Sequence, residues 1–317
     1  MSRMLEVPDG TFGNVAIEWP FRSEIANISR YRCLATDRGP AEEQTQPWHV
    51  ICFPHERGFL YHEENSATVV DPTDLFFLNA GVRFRTSHPF GGGDGGSTLV
   101  LRPDVLLEAM AVHDPSVHDR PGRPFCYRRA PSAPQVYLTQ RLLARELDDP
   151  TALDPSAVIE TALALAASAV ASAFPAAKAP RPSAATRRER QARERVEAVR
   201  SEIARAYDRH QPLEELAATV GFSVYHLCRT FRKHTGLPVH RYRNRLRLRA
   251  ALERLADPGV DLTGVALDVG FSSHSHFTAA FRAEFGVTPS QVRRSRFKAI
   301  RSRLFWPPAS KRNVSVM

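Results

Sequence analysis

Short apolar runs separated by turn-forming residues fill much of the first hundred positions. β-Prone runs occur at Trp48–Phe53, Gly58–His62, Ala67–Val70, Leu75–Leu78, Val82–Ser87 and Ser97–Arg102. Pro54, Glu63-Glu64-Asn65, Asp71-Pro72 and Asn79-Ala80-Gly81 punctuate them. Regularly spaced short strands of this kind predict a β-sandwich or small barrel. The glycine-rich stretch Gly91-Gly92-Gly93-Asp94-Gly95-Gly96 lacks the GxxxxGK[ST] order of a phosphate-binding loop and reads as a hairpin or lid. From Pro103 the pattern turns helical. Leu138, Leu142, Leu143 and Leu147 mark one helix, and Pro155 to Phe174 another. These helices, over 135–174, either cover the sheet or form a dimer surface.

Phe174 to Ser183 contains three prolines among small residues, which predicts a linker over 176–186. Beyond it, Val196, Val199, Ile203 and Tyr207 recur at helical spacing in an Arg-, Glu- and Ala-rich run, an amphipathic helix.

An internal repeat follows. Leu213-Glu-Glu-Leu-Ala-Ala-Thr-Val-Gly-Phe222 aligns with Leu262-Thr-Gly-Val-Ala-Leu-Asp-Val-Gly-Phe271. Each copy predicts a short helix ended by a glycine able to turn left-handed (Gly221, Gly270). Serine, a good N-cap, comes next: Ser223 in the first copy, Ser272-Ser273 in the second. A second helix then runs from Val224 to Thr235 and from His274 to Phe285, closed by Gly236 and Gly286. Thr288-Pro289-Ser290-Gln291 has the form of a capping box, so a further helix starts there. Helix, glycine turn and capped helix make a helix-turn-helix, and two copies predict two such units.

If Leu227 and Phe231 face inward, Ser223, Tyr225, His226, Cys228, Arg229, Arg232 and Lys233 sit at the start or outer face of the first reading helix. With Phe277 and Phe281 inward, Ser273, His274, Ser275, Thr278, Ala279 and Arg282 do so in the second. Arginine pairs with guanine edges or holds phosphates. Arg229, in mid-helix, is the best base-reading candidate, with a phosphate contact as the alternative. Ala279 offers only an apolar contact, so the second helix is expected to read sequence more weakly. His240 to Leu255 has no Pro or Gly and reads as one long helix holding the two units one DNA turn apart. Its arginines read as phosphate contacts or a solvated face.

Charge sharpens this picture. The chain has 317 residues and a formal charge of +9. Residues 187–317 carry 26 Lys and Arg against 12 Asp and Glu, whereas residues 1–186 carry 17 against 22. The basic excess therefore belongs wholly to the C-terminal part, as expected of a nucleic-acid-binding module joined to one with another task. The four cysteines form no CxxC pair, which argues against a disulfide scaffold or a zinc site. The one HxH, His274-Ser-His276, lies in the basic half, and no GxSxG or HExxH occurs. No catalytic residue, metal or cofactor is predicted. The N-terminus has no apolar core of a signal peptide, and the apolar stretch Thr161–Phe174 is short for a span, so a cytoplasmic protein without membrane contact is expected.

Gly270-Phe-Ser-Ser-His-Ser-His-Phe-Thr-Ala-Ala-Phe-Arg-Ala-Glu-Phe-Gly-Val-Thr-Pro-Ser-Gln-Val-Arg293, with its linked upstream copy, closely resembles the AraC/XylS family of bacterial transcription regulators. The resemblance covers roughly Arg195 to Arg296. It implies a seven-helix DNA-binding domain with two helix-turn-helix units, attached to a ligand-sensing or dimerising domain. The family's reading positions fall on Tyr225, Cys228 and Arg229, and on His274, Ser275 and Ala279. Cys228 and Ala279 are weak hydrogen bonders where relatives often carry glutamine or arginine. More loosely, by strand pattern and order, the N-terminal half resembles the family's cupin-type sensor domain.

The expected fold is α+β multidomain: an N-terminal cupin-like β-barrel or sandwich with helices, and a C-terminal all-α domain with two helix-turn-helix units. The expected domains are 1–175 (sensing or dimerisation), 176–186 (linker), 187–297 (DNA binding) and 298–317 (a basic, disordered tail). The implied partners are double-stranded promoter DNA, RNA polymerase, a small-molecule effector and a second copy of the chain. Activation is favoured on family grounds. The alternatives are a cupin-type metal-dependent enzyme with a DNA-localising domain, and a non-specific DNA-packaging protein.

Overall fold

The computed structural model describes residues 10–12, 14–35, 39–63, 66–90, 92–149, 154–177, 187–257 and 259–294. Most of the predicted linker and all of the predicted tail lie outside the described residues.

Strands β1 (Gly10–Phe12), β2 (Val15–Phe21), β3 (Ala26–Cys33), β4 (Gln44–Thr45), β5 (Val50–Glu56), β6 (Phe59–Glu63), β7 (Ser66–Val70), β8 (Asp74–Leu78), β9 (Arg83–Ser87) and β10 (Gly95–Leu101) come first. Helix α1 (Pro103–Ala111), strand β11 (Arg129–Pro131) and helices α2 (Pro134–Glu146) and α3 (Pro155–Ala177) follow. One antiparallel sheet runs β1-β2-β3-β10-β5-β8-β11, and the other β4-β9-β6-β7. The six runs predicted as strands are β5 to β10. Strands β1 to β4 and β11 were not foreseen.

The middle of the larger sheet is buried on both faces. Ile51, Phe53, Leu75, Phe77, Leu99 and Leu101 pack with α1 to α3. Their neighbours Val50, Cys52, Phe76, Leu78 and Val100 pack with Phe59, Tyr61 and Val70 of the smaller sheet. Side chains alternate between faces along a strand. A strand covered on both sides therefore needs a continuous apolar run, which is how Leu75-Phe76-Phe77-Leu78 reads. Each such side chain stabilises by roughly 1.5–3 kcal/mol on burial.

Helix α3 is longer than the apolar stretch that announced it, and it passes Pro175 to reach Ala177. Pro155–Phe174 is long and apolar enough to cross a membrane by length and composition. In the fold it is a core helix, with Ala162, Leu165, Ala166, Ala169, Val170 and Ala173 buried.

The C-terminal helices are α4 (Arg187–Arg205), α5 (Leu213–Thr219), α6 (Val224–Thr235), α7 (Val239–Arg254), α8 (Leu262–Asp268), α9 (His274–Phe285) and α10 (Pro289–Arg294). Val196, Val199, Ile203, Leu227, Phe231 and Tyr242 form the core of the first unit. The core of the second, around Phe277, Phe281 and Phe285, is continuous with that of the N-terminal helical layer.

Buried charges join the two halves. Arg200 of α4 donates to Asp71, in the turn after β7, at 2.8 Å and to Asp74, which opens β8, at 2.6 Å. Its Nε donates to the Tyr242 hydroxyl at 2.9 Å, and that hydroxyl donates to Asp71. Burial opposes ionisation of Asp71, but Arg200, Thr73 and Tyr242 outweigh it and hold its carboxyl below the usual range. Burial and the neighbouring Asp71 push Asp74 up to about 8 against the pull of Arg200. Burial likewise raises Glu197 to about 8, although Val69 N–H donates to it. Arg249 of α7, fully buried, donates to the carbonyls of Pro72 and Ser132 and lies over the Tyr137 ring. Arg141 pairs with Glu253 at 2.5 Å.

Candidate nucleic-acid interface

Each repeat folds as its residues dictate. Helix α5 ends into Gly221 at φ +65°, and α8 into Gly270 at φ +93°. Ser223 Oγ accepts from His226 N–H at 3.3 Å, and Ser273 Oγ from His276 N–H at 3.2 Å. Gly236 and Gly286 close α6 and α9 in the left-handed conformation. The capping box also forms: Thr288 N–H donates to Gln291 Oε1 at 2.8 Å, and Gln291 N–H to Thr288 Oγ1 at 3.3 Å. Leu227, Phe231, Phe277 and Phe281 are wholly buried, so they fix the rotation of α6 and α9.

That rotation turns the candidate residues outward. On α6, Tyr225 is 75% exposed. Ser223, His226, Arg229, Arg232 and Lys233 are exposed and Cys228 is half-buried. Tyr225, Cys228, Arg229 and Arg232 line one concave surface with Leu213, Pro238, His240 and Arg243. Arg229, Arg232 and Lys233 make no ion pair among the described residues. His226 stands apart from that concave surface, its ring edge-on to Phe222 at 4.3 Å. On α9, Ser273, His274, Ser275, Ala279 and Arg282 are exposed and Thr278 is half-buried. His274 Nε2 and Thr278 Oγ1 lie 3.4 Å apart. Arg282 is the single basic residue in the exposed candidate set of α9, against Arg229, Arg232 and Lys233 on α6.

Four arginines of α7 make contacts not expected of them, while Arg241 and Arg254 are exposed, as on a solvated face. Arg243 donates to the Gln211 carbonyl, Arg247 to those of Tyr207 and Arg209, and Arg245 pairs with Glu284 at 2.6 Å. Arg249 joins the N-terminal half as described above. These side chains brace the bundle, and Arg243 also lines the concave surface beside α6. Arg200, Asp71 and Asp74 were not foreseen at all. One signal existed: Arg200 lies four residues after Val196 on the apolar stripe of α4.

A second candidate site lies between the sheets. A cavity of about 690 Å³ is lined by Trp19, Tyr31, Trp48, Phe59, Phe76 and Phe84, among others. Trp19 and Trp48 meet edge-on at 5.8 Å. Burial pushes the Cys52 thiol up to about 12 and the Tyr31 phenol well above its usual value, so these two wall groups are neutral.

A family model described as a helix-turn-helix domain matches residues 216–295. The chain is 39% identical over 83 residues to the HTH-type transcriptional activator RhaS of Escherichia fergusonii, covering 26% of this chain and 30% of that protein. It is 37% identical over 83 residues to RhaS of Enterobacter sp., with the same coverage. The chain thus spans about 30% of the length of these curated relatives. Among solved structures, an AraC-type DNA-binding-domain regulator from Chromobacterium violaceum matches with 27% identity and a TM-score of 0.31, covering 33% of this chain and 93% of that one. ToxT from Vibrio cholerae matches with 9% identity and a TM-score of 0.34, covering 85% of this chain and 98% of that one.

Proposed function

On the premise that residues 216–295 are a helix-turn-helix domain of the AraC/XylS type, we propose that the chain regulates transcription by binding specific promoter DNA. The observation that carries this is the first reading helix. Tyr225, Cys228, Arg229 and Arg232 share one outward surface, and among the described residues Arg229 and Arg232 make no ion pair, although Glu214 lines the same surface. Free guanidinium groups on an exposed, rigidly capped helix suit guanine edges and phosphates in the major groove.

In this reading α6 supplies most of the base recognition and α9 a weaker contact through His274, Ser275 and Arg282, with α7 setting their spacing. Residues 1–175 form the sensing part, of the cupin-like barrel type, and 187–297 the DNA-binding part. The aromatic inter-sheet cavity takes a small, largely apolar effector. The chain acts in the cytoplasm, as an activator that contacts RNA polymerase, alone or as a dimer.

Selection of genomic fragments by purified full-length protein at near-physiological salt, followed by sequencing, tests this. Enrichment of a few sites, each with two short conserved segments about one DNA turn apart, is the expected result. Uniform recovery that vanishes with modest added salt would reduce the binding to phosphate attraction and overturn the reading.

A further inference from the structure

We propose that Cys33, His88 and Asp94 form a binding site for a divalent transition-metal ion of the zinc type in the wall of the inter-sheet cavity. Their ligand atoms lie within 4.8 Å of one another, and among the described residues this is the one such cluster. All three side chains are buried. His88 Nε2 and Asp94 Oδ1 are 2.7 Å apart.

The fold brings them together from separate places. Cys33 ends β3, His88 follows β9, and Asp94 precedes β10 in the glycine-rich loop. Cys33 N–H donates to the Asp94 carbonyl at 2.8 Å. A Cβ at Gly93 would sit 1.6 Å from the Cys33 carbonyl oxygen, so only glycine lets the loop lie this close to β3. No spacing motif marks the three positions, because the loop supplies the proximity.

The donor set favours this class of ion. Thiolate, imidazole and carboxylate are the zinc ligands, and three protein ligands leave a tetrahedral ion one position to fill. Cys33 and Asp94 also line the cavity, so that position opens towards it. The site stands independently of the DNA-binding reading, since it needs only the N-terminal half.

Cobalt(II), a spectroscopic substitute for zinc, supplies the test. Chelator-treated full-length protein titrated with Co2+ should develop a thiolate-to-cobalt charge-transfer band that saturates at one ion per chain and is abolished by added Zn2+. Cys33→Ser should remove the band, while Cys126→Ser/Cys228→Ser should retain it. His88→Ala should weaken binding at least tenfold, in line with loss of a ligand. X-ray absorption of the zinc-loaded wild-type protein covers the case in which a variant does not fold, and should show one sulfur in the coordination shell. Absence of the charge-transfer band, its persistence in Cys33→Ser, or a zinc shell of nitrogen and oxygen alone would overturn the proposal.

Discussion

Arg200 and Asp74 lie 126 positions apart and meet at 2.6 Å, in a site where Arg200 is 2% exposed. The pair joins the N-terminal sheets to the C-terminal helices. Asp74 opens β8, and Phe76 and Leu78 of the same strand line the inter-sheet cavity. Arg200 sits on α4, whose Val196 and Val199 pack in the core of the first helix-turn-helix unit. Two carboxylates, one guanidinium and the Tyr242 hydroxyl thus form a short, buried connection between β8 and α4.

Removing one member of that cluster should cost far more than a surface ion pair. Arg200→Ala leaves Asp71 and Asp74 buried side by side without their cation, and breaking a buried pair costs about 3–5 kcal/mol. Urea denaturation should show a loss of that order. Arg205→Ala, which removes a partly exposed pair with Glu202, should stay within about 1 kcal/mol. Equal small effects would mean that the buried cluster is not coupled to folding.

The same cluster predicts a pH dependence with a definite sign. Asp74 and Glu197 are each raised to about 8. Unfolded carboxyls titrate near 4. Between those limits the folded protein binds more protons than the unfolded chain, so stability falls as pH rises through the window. Arg129, Arg200, the Val69 N–H and Asp71 surround Glu197 and set the balance. Glu197→Gln cannot titrate there. The fall in melting temperature from pH 6 to pH 8 should be smaller in this variant than in the wild type, and an unchanged fall would exclude Glu197 as a source.

The C-terminal architecture was legible because each device in it is local. Glycine turns, serine caps and the Thr288/Gln291 box act over a few residues, and the inward pairs Leu227/Phe231 and Phe277/Phe281 follow from helical period alone. The central strands were legible for a similar reason, since burial on both faces writes continuous apolar runs. β3 escaped notice because its buried run puts polar Asn27 and Ser29 on one face and Ile28 on the other, the Ser29 hydroxyl pairing with Thr98 on β10. Arg243, Arg245, Arg247 and Arg249 of α7 were misread because their partners are backbone carbonyls and an acid tens of positions away. Cys33, His88 and Asp94 illustrate the same limit, as nothing in their spacing shows that a glycine loop will close on β3.

Two glycines that look alike in the repeat should differ under substitution. Gly286 has φ +75° with nothing near a built Cβ, so Gly286→Ala should cost only the left-handed penalty, about 1–2 kcal/mol. Gly270 has φ +93°, and its Cβ would meet the Asp208 carbonyl oxygen at 2.3 Å. Gly270→Ala must therefore also move the segment carrying Asp208, and it should lower stability more than Gly286→Ala. Matched denaturation midpoints would show that the Asp208 segment yields without cost.

The two reading helices should respond unequally to loss of charge. Arg229 lies with Tyr225 and Cys228 on the concave side of α6, whereas Lys233, also exposed, lies outside that surface. Arg229→Ala should cost about 1–3 kcal/mol at the true site and relax its sequence preference. Lys233→Ala should weaken specific and random DNA alike and reduce the salt slope by about one. Arg282, the basic residue among the exposed candidates of α9, should fall between them, with a smaller specific loss than Arg229 because its helix offers His274, Ser275 and Ala279 in place of further arginine. Binding isotherms on the selected site and on random duplex, each at several salt concentrations, separate the three. If Arg229→Ala weakened both duplexes equally, Arg229 would be a phosphate clamp, and recognition by α6 would rest on Tyr225 and Cys228.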